Sequence, residues 1–325
     1  MNKPFLLRPT GKDYLWGGNK LNDEFEKHIE LSPLAETWEC STHPDGPSYV
    51  VSGEFEGQSL SQVLKEHPEF LGSHPNTEGE LPILVKLIDA RQDLSVQVHP
   101  DDDYACEHEG GQLGKTEMWY VLSADEDASL IYGFNKNVSK DQVRDAALKG
   151  QLMNHLQKVP VKKGDLFFIK AGTVHAIGAG TVVAEVQENS NLTYRLYDFD
   201  RVDRHGNKRE LHIDKALSVM NLNKSMEPRQ PMRIHRYEPG VARELLCSCK
   251  YFEVYRMMIN TQRRQVVNFK ADDVSFRVLL CVGGCAVMDF QGGTLQFYKG
   301  DCIFVPADSV PIKISGQAQL LDIRG

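Results

Sequence analysis

Apolar residues fall in short runs at 49–51, 83–88, 94–98, 118–122, 130–134, 166–169, 181–186, 276–282 and 302–305, separated by Gly, Pro, Asn or Asp. Many short strands at such spacing predict an all-β sandwich or barrel. Helical periodicity is confined to a few places. Ser59 opens an amphipathic stretch at 59–66. Ser139-Lys-Asp-Gln142 has the form of a capping box, with Val143, Ala147, Leu152 and Leu156 placed to line one buried face. A third helix is expected over 212–220.

A weak internal repeat organises the chain. Lys163-Gly-Asp-Leu-Phe-Phe-Ile-Lys-Ala-Gly-Thr-Val-His175 is echoed by Lys299-Gly-Asp-Cys-Ile-Phe-Val-Pro-Ala-Asp-Ser-Val-Pro311. Each copy reads as a Gly-Asp turn, an apolar strand and a small-residue turn, the pattern of one jelly-roll corner. The fold expected is mainly β: two tandem jelly-roll barrels with a few short helices. The first spans 1–230 with its N-terminal strands, the second spans 235–325, and 226–231 forms the linker. The first copy ends in His175. The second ends in Pro311, which has no ligand atom, so only the first barrel can hold a metal at this corner.

Composition removes several classes of function. A net charge of −8 argues against nucleic-acid binding. The longest stretch free of Asp, Glu, Lys and Arg, at 171–184, falls short of the roughly 20 apolar residues of a membrane span. The N-terminus lacks the apolar region of a signal peptide. Seven scattered Cys without a CxxC pair fit free, mostly buried thiols in a reducing, cytoplasmic setting.

The chemistry lies in three strand-like segments. In Asp93-Leu-Ser-Val-Gln-Val-His-Pro100 the period of two places Ser95, Gln97 and His99 on one face, with the aliphatic residues on the other. The same parity places Lys115, Glu117 and Trp119 together, and a carboxylate entering the interior there needs a cation or metal partner. His175 comes from a third strand end. Two His, one Glu and one Gln form an N/O donor set for a borderline divalent ion, with room for water or substrate. His43, in a Pro- and Gly-rich turn, is a further candidate for the pocket wall.

Gln97-Val-His99-Pro100, Gly114-Lys-Thr-Glu117-Met-Trp, Ala171-Gly-Thr-Val-His175-Ala-Ile-Gly and Asn189-Ser-Asn-Leu-Thr-Tyr-Arg195-Leu-Tyr-Asp198-Phe-Asp-Arg201 together resemble the shorter bacterial form of the type I mannose-6-phosphate isomerase family, a cupin family. Trp16-Gly-Gly and Ala35-Glu-Thr-Trp-Glu-Cys-Ser-Thr-His43 fit the same pattern. The resemblance implies one zinc ion per chain on Gln97, His99, Glu117 and His175. It implies Arg195, Lys115 and Glu185 as catalytic residues, and Ser95, Arg201 and Trp16 as contacts to substrate or phosphate. Asn191 departs from the pattern, standing where some longer relatives carry an Asp suggested to help open the sugar ring.

The reaction so implied interconverts mannose 6-phosphate and fructose 6-phosphate through a cis-enediolate, with a small sugar phosphate as the partner and a monomer or homodimer as the assembly. A two-His, one-carboxylate set also suits a non-haem iron cupin dioxygenase, and an intact ligand set could serve a non-catalytic sugar-phosphate-binding protein.

Overall fold

Short apolar runs decide the strands and the strands decide the layers. We describe a computed structural model covering residues 2–74, 80–203, 205–229, 235–263 and 265–325. Each apolar run falls on a strand, with Leu166–Ile169 and Cys302–Val305 matching their runs end to end. Three antiparallel sheets result. A six-stranded sheet runs in the order Leu166–Ile169, Glu117–Ala124, Thr181–Glu188, Ile83–Ala90, Glu36–Cys40, Thr10–Lys12. A five-stranded sheet runs Tyr194–Tyr197, Val96–Val98, His175–Ile177, Ser129–Phe134, Leu156–Pro160. The third, ten-stranded, holds most of the C-terminal region.

Buried side chains place these sheets in sequence. Trp119, Phe167, Ile169 and Val183 of the six-stranded sheet meet Leu130, Val159 and Ile177 of the five-stranded one, closing the first jelly roll. On the outer face of the five-stranded sheet, Val143, Ala146, Ala216 and Leu217 of two short helices pack on Val96, Val98, Ala176 and Leu196. The other face of the six-stranded sheet, with Val85, Leu87, Met118 and Val186, packs on Val278, Leu280, Leu321 and Ile323 of the ten-stranded sheet. Met257, Leu279, Phe297 and Leu320 fill the interior of the second barrel.

The helices begin where their caps predict. Ser59 accepts from the Gln62 amide ahead of Leu60–Glu66, and Ser139 forms a complete capping box ahead of Lys140–Leu148. The latter helix is shorter than its apolar pattern suggests. Gly150 turns with φ of 66°, so Leu152 falls in a 3₁₀ turn and Leu156 opens a strand. The expected third helix is Ile213–Val219. Lys20–Phe25 and Asp102–His108 are helices that the periodicity did not announce.

Strand pairing crosses the halves of the chain. Phe5–Arg8 pairs with Cys302–Val305, matching Phe5 to Phe304, and the Phe304 ring stacks on Phe5 at 5.3 Å and on Phe276 at 5.4 Å. Of the linker at 226–231, Gln230 and Pro231 lie outside the described residues. All seven thiols are free, but only Cys40, Cys281 and Cys302 are buried, and Cys106 and Cys285 are exposed. Among the described residues no helix is long and apolar enough to cross a membrane.

The internal repeat is built from matching hydrogen bonds. Gly164 donates to the Val121 carbonyl and Gly300 to that of Cys281, each at 2.8 Å. Val121 and Cys281 in turn donate to Asp165 and Asp301, at 2.9 and 2.8 Å. Both Asp carboxylates accept an amide three residues back, from Lys162 at 3.0 Å and Tyr298 at 2.7 Å. Gly164 and Gly300 hold φ of 89° and 102°, where a side chain would be strained, which is why both turns read Lys-Gly-Asp.

Candidate active site

The site sits between the two sheets of the first barrel. His99, Glu117 and His175, all buried, place one ligand atom each within 4.8 Å of one another. Glu117 comes from the six-stranded sheet, whereas His99 and His175 come from the five-stranded one, so closing the sandwich assembles the cluster. His99 Nδ1 donates to the Leu192 carbonyl at 2.7 Å and His175 Nδ1 to that of Thr173 at 2.8 Å. A carbonyl only accepts, so both rings carry their proton on Nδ1 and turn an Nε2 lone pair inward. Burial holds both imidazoles below the ordinary histidine range, His175 at about 4.

These lone pairs meet a carboxylate. His175 Nε2 is 3.2 Å from Glu117 Oε1, and His99 Nε2 is 3.6 Å from Glu117 Oε2. Glu117 Oε1 is buried and has no hydrogen-bond partner. An imidazole lone pair facing an orphaned carboxylate oxygen, with a second imidazole beside them, forms an arrangement that a divalent cation satisfies. Gln97 stands beside them, its amide nitrogen 3.4 Å from His175 Nε2.

Cationic side chains ring the cluster. Lys115 Nζ donates to Glu117 Oε2 at 2.5 Å and to His99 Nε2 at 3.1 Å. Arg195 lies across the ladder from Gln97, and Gln97 across from His175, so the three share one row of the five-stranded sheet. The Arg195 Nε donates to Ser95 Oγ at 3.3 Å, and its Nη1 to the Glu210 carbonyl at 3.0 Å.

The same organisation recurs in known proteins. Residues 5–128 match the model of the phosphomannose isomerase type I catalytic domain, and residues 243–324 that of the mannose-6-phosphate isomerase cupin domain. A putative mannose-6-phosphate isomerase of Bacillus subtilis, YvyI, is 35% identical over 98% of both chains. The chain belongs to the type I mannose-6-phosphate isomerase family. A mannose-6-phosphate isomerase of Streptococcus mutans is 42% identical over 80% of each chain. The crystal structure of the mannose 6-phosphate isomerase from Bacillus subtilis superposes with a TM-score of 0.90 at 34% identity, covering 99% of both chains.

Within this isomerase-family site, the remaining candidates take varied positions. Glu185, buried, accepts from Trp119 Nε1 at 2.8 Å and lies 3.2 Å from Lys86 Nζ. Burial opposes its charge, but Lys115 and Lys86 outweigh burial and hold its carboxyl at about 2. Arg201 is tied down, its Nη2 donating to Asp198 and its Nη1 to the Asp93 carbonyl, both at 2.5 Å. Trp16 lies in the core of the first barrel. It is 3% exposed and packed with Ala35, Ile88 and Trp119, because a large ring between two sheets gains most from burial. Tyr14 stacks on it at 5.6 Å.

Two cations escape a sequence reading. Lys86 is buried between Glu185 and Glu36, 5.0 Å above the Trp38 ring, and burial is overcome by those carboxylates so that its ammonium is stabilised. The signal was present as a lone Lys inside the apolar run at 83–88. Arg209 donates to both Asp198 oxygens, at 2.7 and 2.6 Å, from a loop with no local pattern. His43 packs edge-on against Trp38 at 5.7 Å, and Asn191 donates to the Asp45 carboxylate at 2.8 Å.

Proposed function

We propose that this chain interconverts mannose 6-phosphate and fructose 6-phosphate, using one zinc ion held by Gln97, His99, Glu117 and His175. The observation that carries the metal assignment is the orphaned Glu117 Oε1 facing the His175 Nε2 lone pair, with a second imidazole beside them. Two nitrogens, a carboxylate and an amide oxygen suit a borderline divalent ion. When bound, such an ion supplies Lewis-acid stabilisation of the charge that develops on the substrate oxygen.

The chain's own residues divide the rest of the work. A proton must leave C2 of the aldose and return at C1 through a cis-enediolate. Lys115 Nζ, hydrogen-bonded to two of the ligands, takes that proton as the neutral amine and returns it from the ammonium so formed. Arg195, one strand from Gln97, grips the oxyanion side of the enediolate or the phosphate with its planar fork, and Ser95 orients that fork. Glu185 balances Lys86 and accepts a hydrogen bond from Trp119 Nε1, so it sets the charge of the barrel floor. Arg201 and Arg209 share Asp198 and add a positive field for the phosphate. These cations reconcile a −8 chain with an anionic substrate.

A coupled assay run in heavy water, alongside metal analysis before and after chelation, tests the reading. The enediolate route predicts solvent deuterium at the transferred position, one zinc per chain, and loss of activity with the metal. Full retention of the substrate hydrogen rejects the enediolate, and iron with oxygen uptake rejects the isomerase reading in favour of an oxygenase.

A further inference from the structure

The matched corners fix which residues of the second barrel stand where the metal ligands stand in the first. Ile169 pairs with Glu117 at the end of one corner, and Val305 pairs with Arg277 at the end of the other. Arg277 therefore occupies the position of Glu117. One strand further, Trp119 faces Glu185 while Leu279 faces Asp322, so Asp322 takes the place of Glu185. Two residues on, Gln187 is matched by Arg324. At the mouth of the second barrel a metal-binding carboxylate has become a guanidinium, and an amide beside it has become another.

Arg236 and Arg243, paired across neighbouring strands, join them. All four guanidiniums line a single cavity of about 360 Å³, within the range of small-ligand pockets of about 300–1,000 Å³. Three carboxylates stand among them, and two are already engaged. Asp322 accepts two hydrogen bonds from Arg277, at 2.8 and 2.5 Å, and Glu253 pairs with Arg324 at 2.9 Å. Glu238 is exposed on the edge strand. Arg243 is left short. Its Nη1 is 3.9 Å from Asp322, beyond hydrogen-bond distance, and reaches only the weakly accepting Met257 sulfur at 3.7 Å, while its Nε is buried without any partner. A buried donor without an acceptor is costly, so the cavity holds an unmet demand for an acceptor.

We propose that this cavity is a second ligand site, taking a small oxyanion of the phosphate or phosphomonoester class. A tetrahedral dianion offers terminal oxygens to several guanidinium forks at once, which is the geometry that arginine serves better than lysine. The exchange of Glu117 for Arg277 removes the carboxylate that would favour a cation there, and with Arg277 held by Asp322 it is Arg243 that offers the unsatisfied donor. The site is separate from the catalytic cluster, since its residues all belong to the strands of the ten-stranded sheet or their ends.

Titration calorimetry of the full chain with inorganic phosphate, and separately with glycerol 3-phosphate, tests this. The wild type should show a binding component that Arg243→Gln weakens by about tenfold. Arg201→Gln, in the first barrel, should leave that component in place, and isomerase activity of Arg243→Gln should stay within about twofold of wild type. The tighter of the two ligands tells whether free phosphate or an ester is the natural occupant. Should Arg243→Gln fold poorly, Arg236→Gln on the exposed edge and Arg243→Lys carry the same test, each with weakened binding expected. Unchanged binding in these variants, loss of the component in Arg201→Gln alone, or no wild-type component tighter than about 10 mM overturns the proposal.

Discussion

His175 Nε2 and Glu117 Oε1 stand 3.2 Å apart, with the histidine proton committed to the Thr173 carbonyl on the far side of the ring. Glu117 Oε1 has no hydrogen-bond donor, while Lys115 serves only the other carboxylate oxygen, and this makes the ligand assignment testable residue by residue. Glu117→Gln and His175→Ala should each lose bound metal and reduce kcat by about 100-fold or more. Metal content per chain and kcat measured on the same preparation decide the matter. Full metal and full activity in either variant contradicts the assignment.

Metal binding should also be visible as stability. If the ion binds the folded chain alone, saturation at about 100 times its Kd adds about 2.7 kcal/mol. Chelation should therefore lower the Tm of the wild type, and Glu117→Gln should not respond to the chelator. A shift of equal size in both would place the stabilising ion elsewhere.

Lys86 carries a second consequence of the packed barrel. It is buried between Glu185 at 3.2 Å and Glu36 at 4.0 Å. Lys86→Met leaves two buried carboxylates without their cation, and breaking such a pair costs about 3–5 kcal/mol. Denaturant unfolding should show that loss, and the double change Lys86→Met with Glu185→Gln should recover part of it. No recovery in the double variant would mean that Lys86 acts through its contact with Trp38 and not through charge.

How far the site could be read ahead depends on how local its pattern is. Parity places Lys115 with Glu117 and Ser95 with Gln97, and the structure keeps Lys115 on Glu117 at 2.5 Å and Ser95 on Arg195, the neighbour of Gln97, although both residues stand just before their strands. Lys86 was hidden because Ile83–Ala90 is buried on both faces, so no alternation marks which side its charge enters. The helix Asp102–His108 was legible in principle: Asp101 caps it by accepting from the Tyr104 amide at 2.9 Å. The pairing of Phe5 with Phe304 has no local signature, since only closure of the whole chain brings those strands together.

That closure makes a stability prediction. Phe304 is fully buried and stacked between Phe5 and Phe276, joining the first strand of the chain to the last sheet. Phe304→Ala should cost about 3–5 kcal/mol. Because the same core runs from Leu87 and Met118 of the first barrel to Leu280 and Leu321 of the second, the loss should appear in one shared unfolding transition. Calorimetry that resolves two transitions, with only the later or earlier one shifted, would show the barrels unfolding independently.

Glu188 supplies the pH dependence. Its carboxyl receives the Thr116 amide at 2.5 Å, next to Lys115 and Glu117, and lies beside Asp102, which Lys250 approaches at 3.3 Å. Burial, then the hydrogen bond and charge of Asp102, push its pKa up to about 8 from an ordinary value of 4.5. The folded chain therefore holds this proton more tightly than the unfolded chain. The stability so gained is fully present below about pH 4.5 and is lost as pH rises through about 8, a change on the order of a few kcal/mol. Glu188→Gln keeps a neutral amide in place of the protonated acid and removes the linkage. Urea midpoints at pH 5 and pH 9 should then converge in the variant relative to wild type, while other alkaline effects cancel in the comparison. Equal loss in both proteins would show that Glu188 titrates at its ordinary pKa.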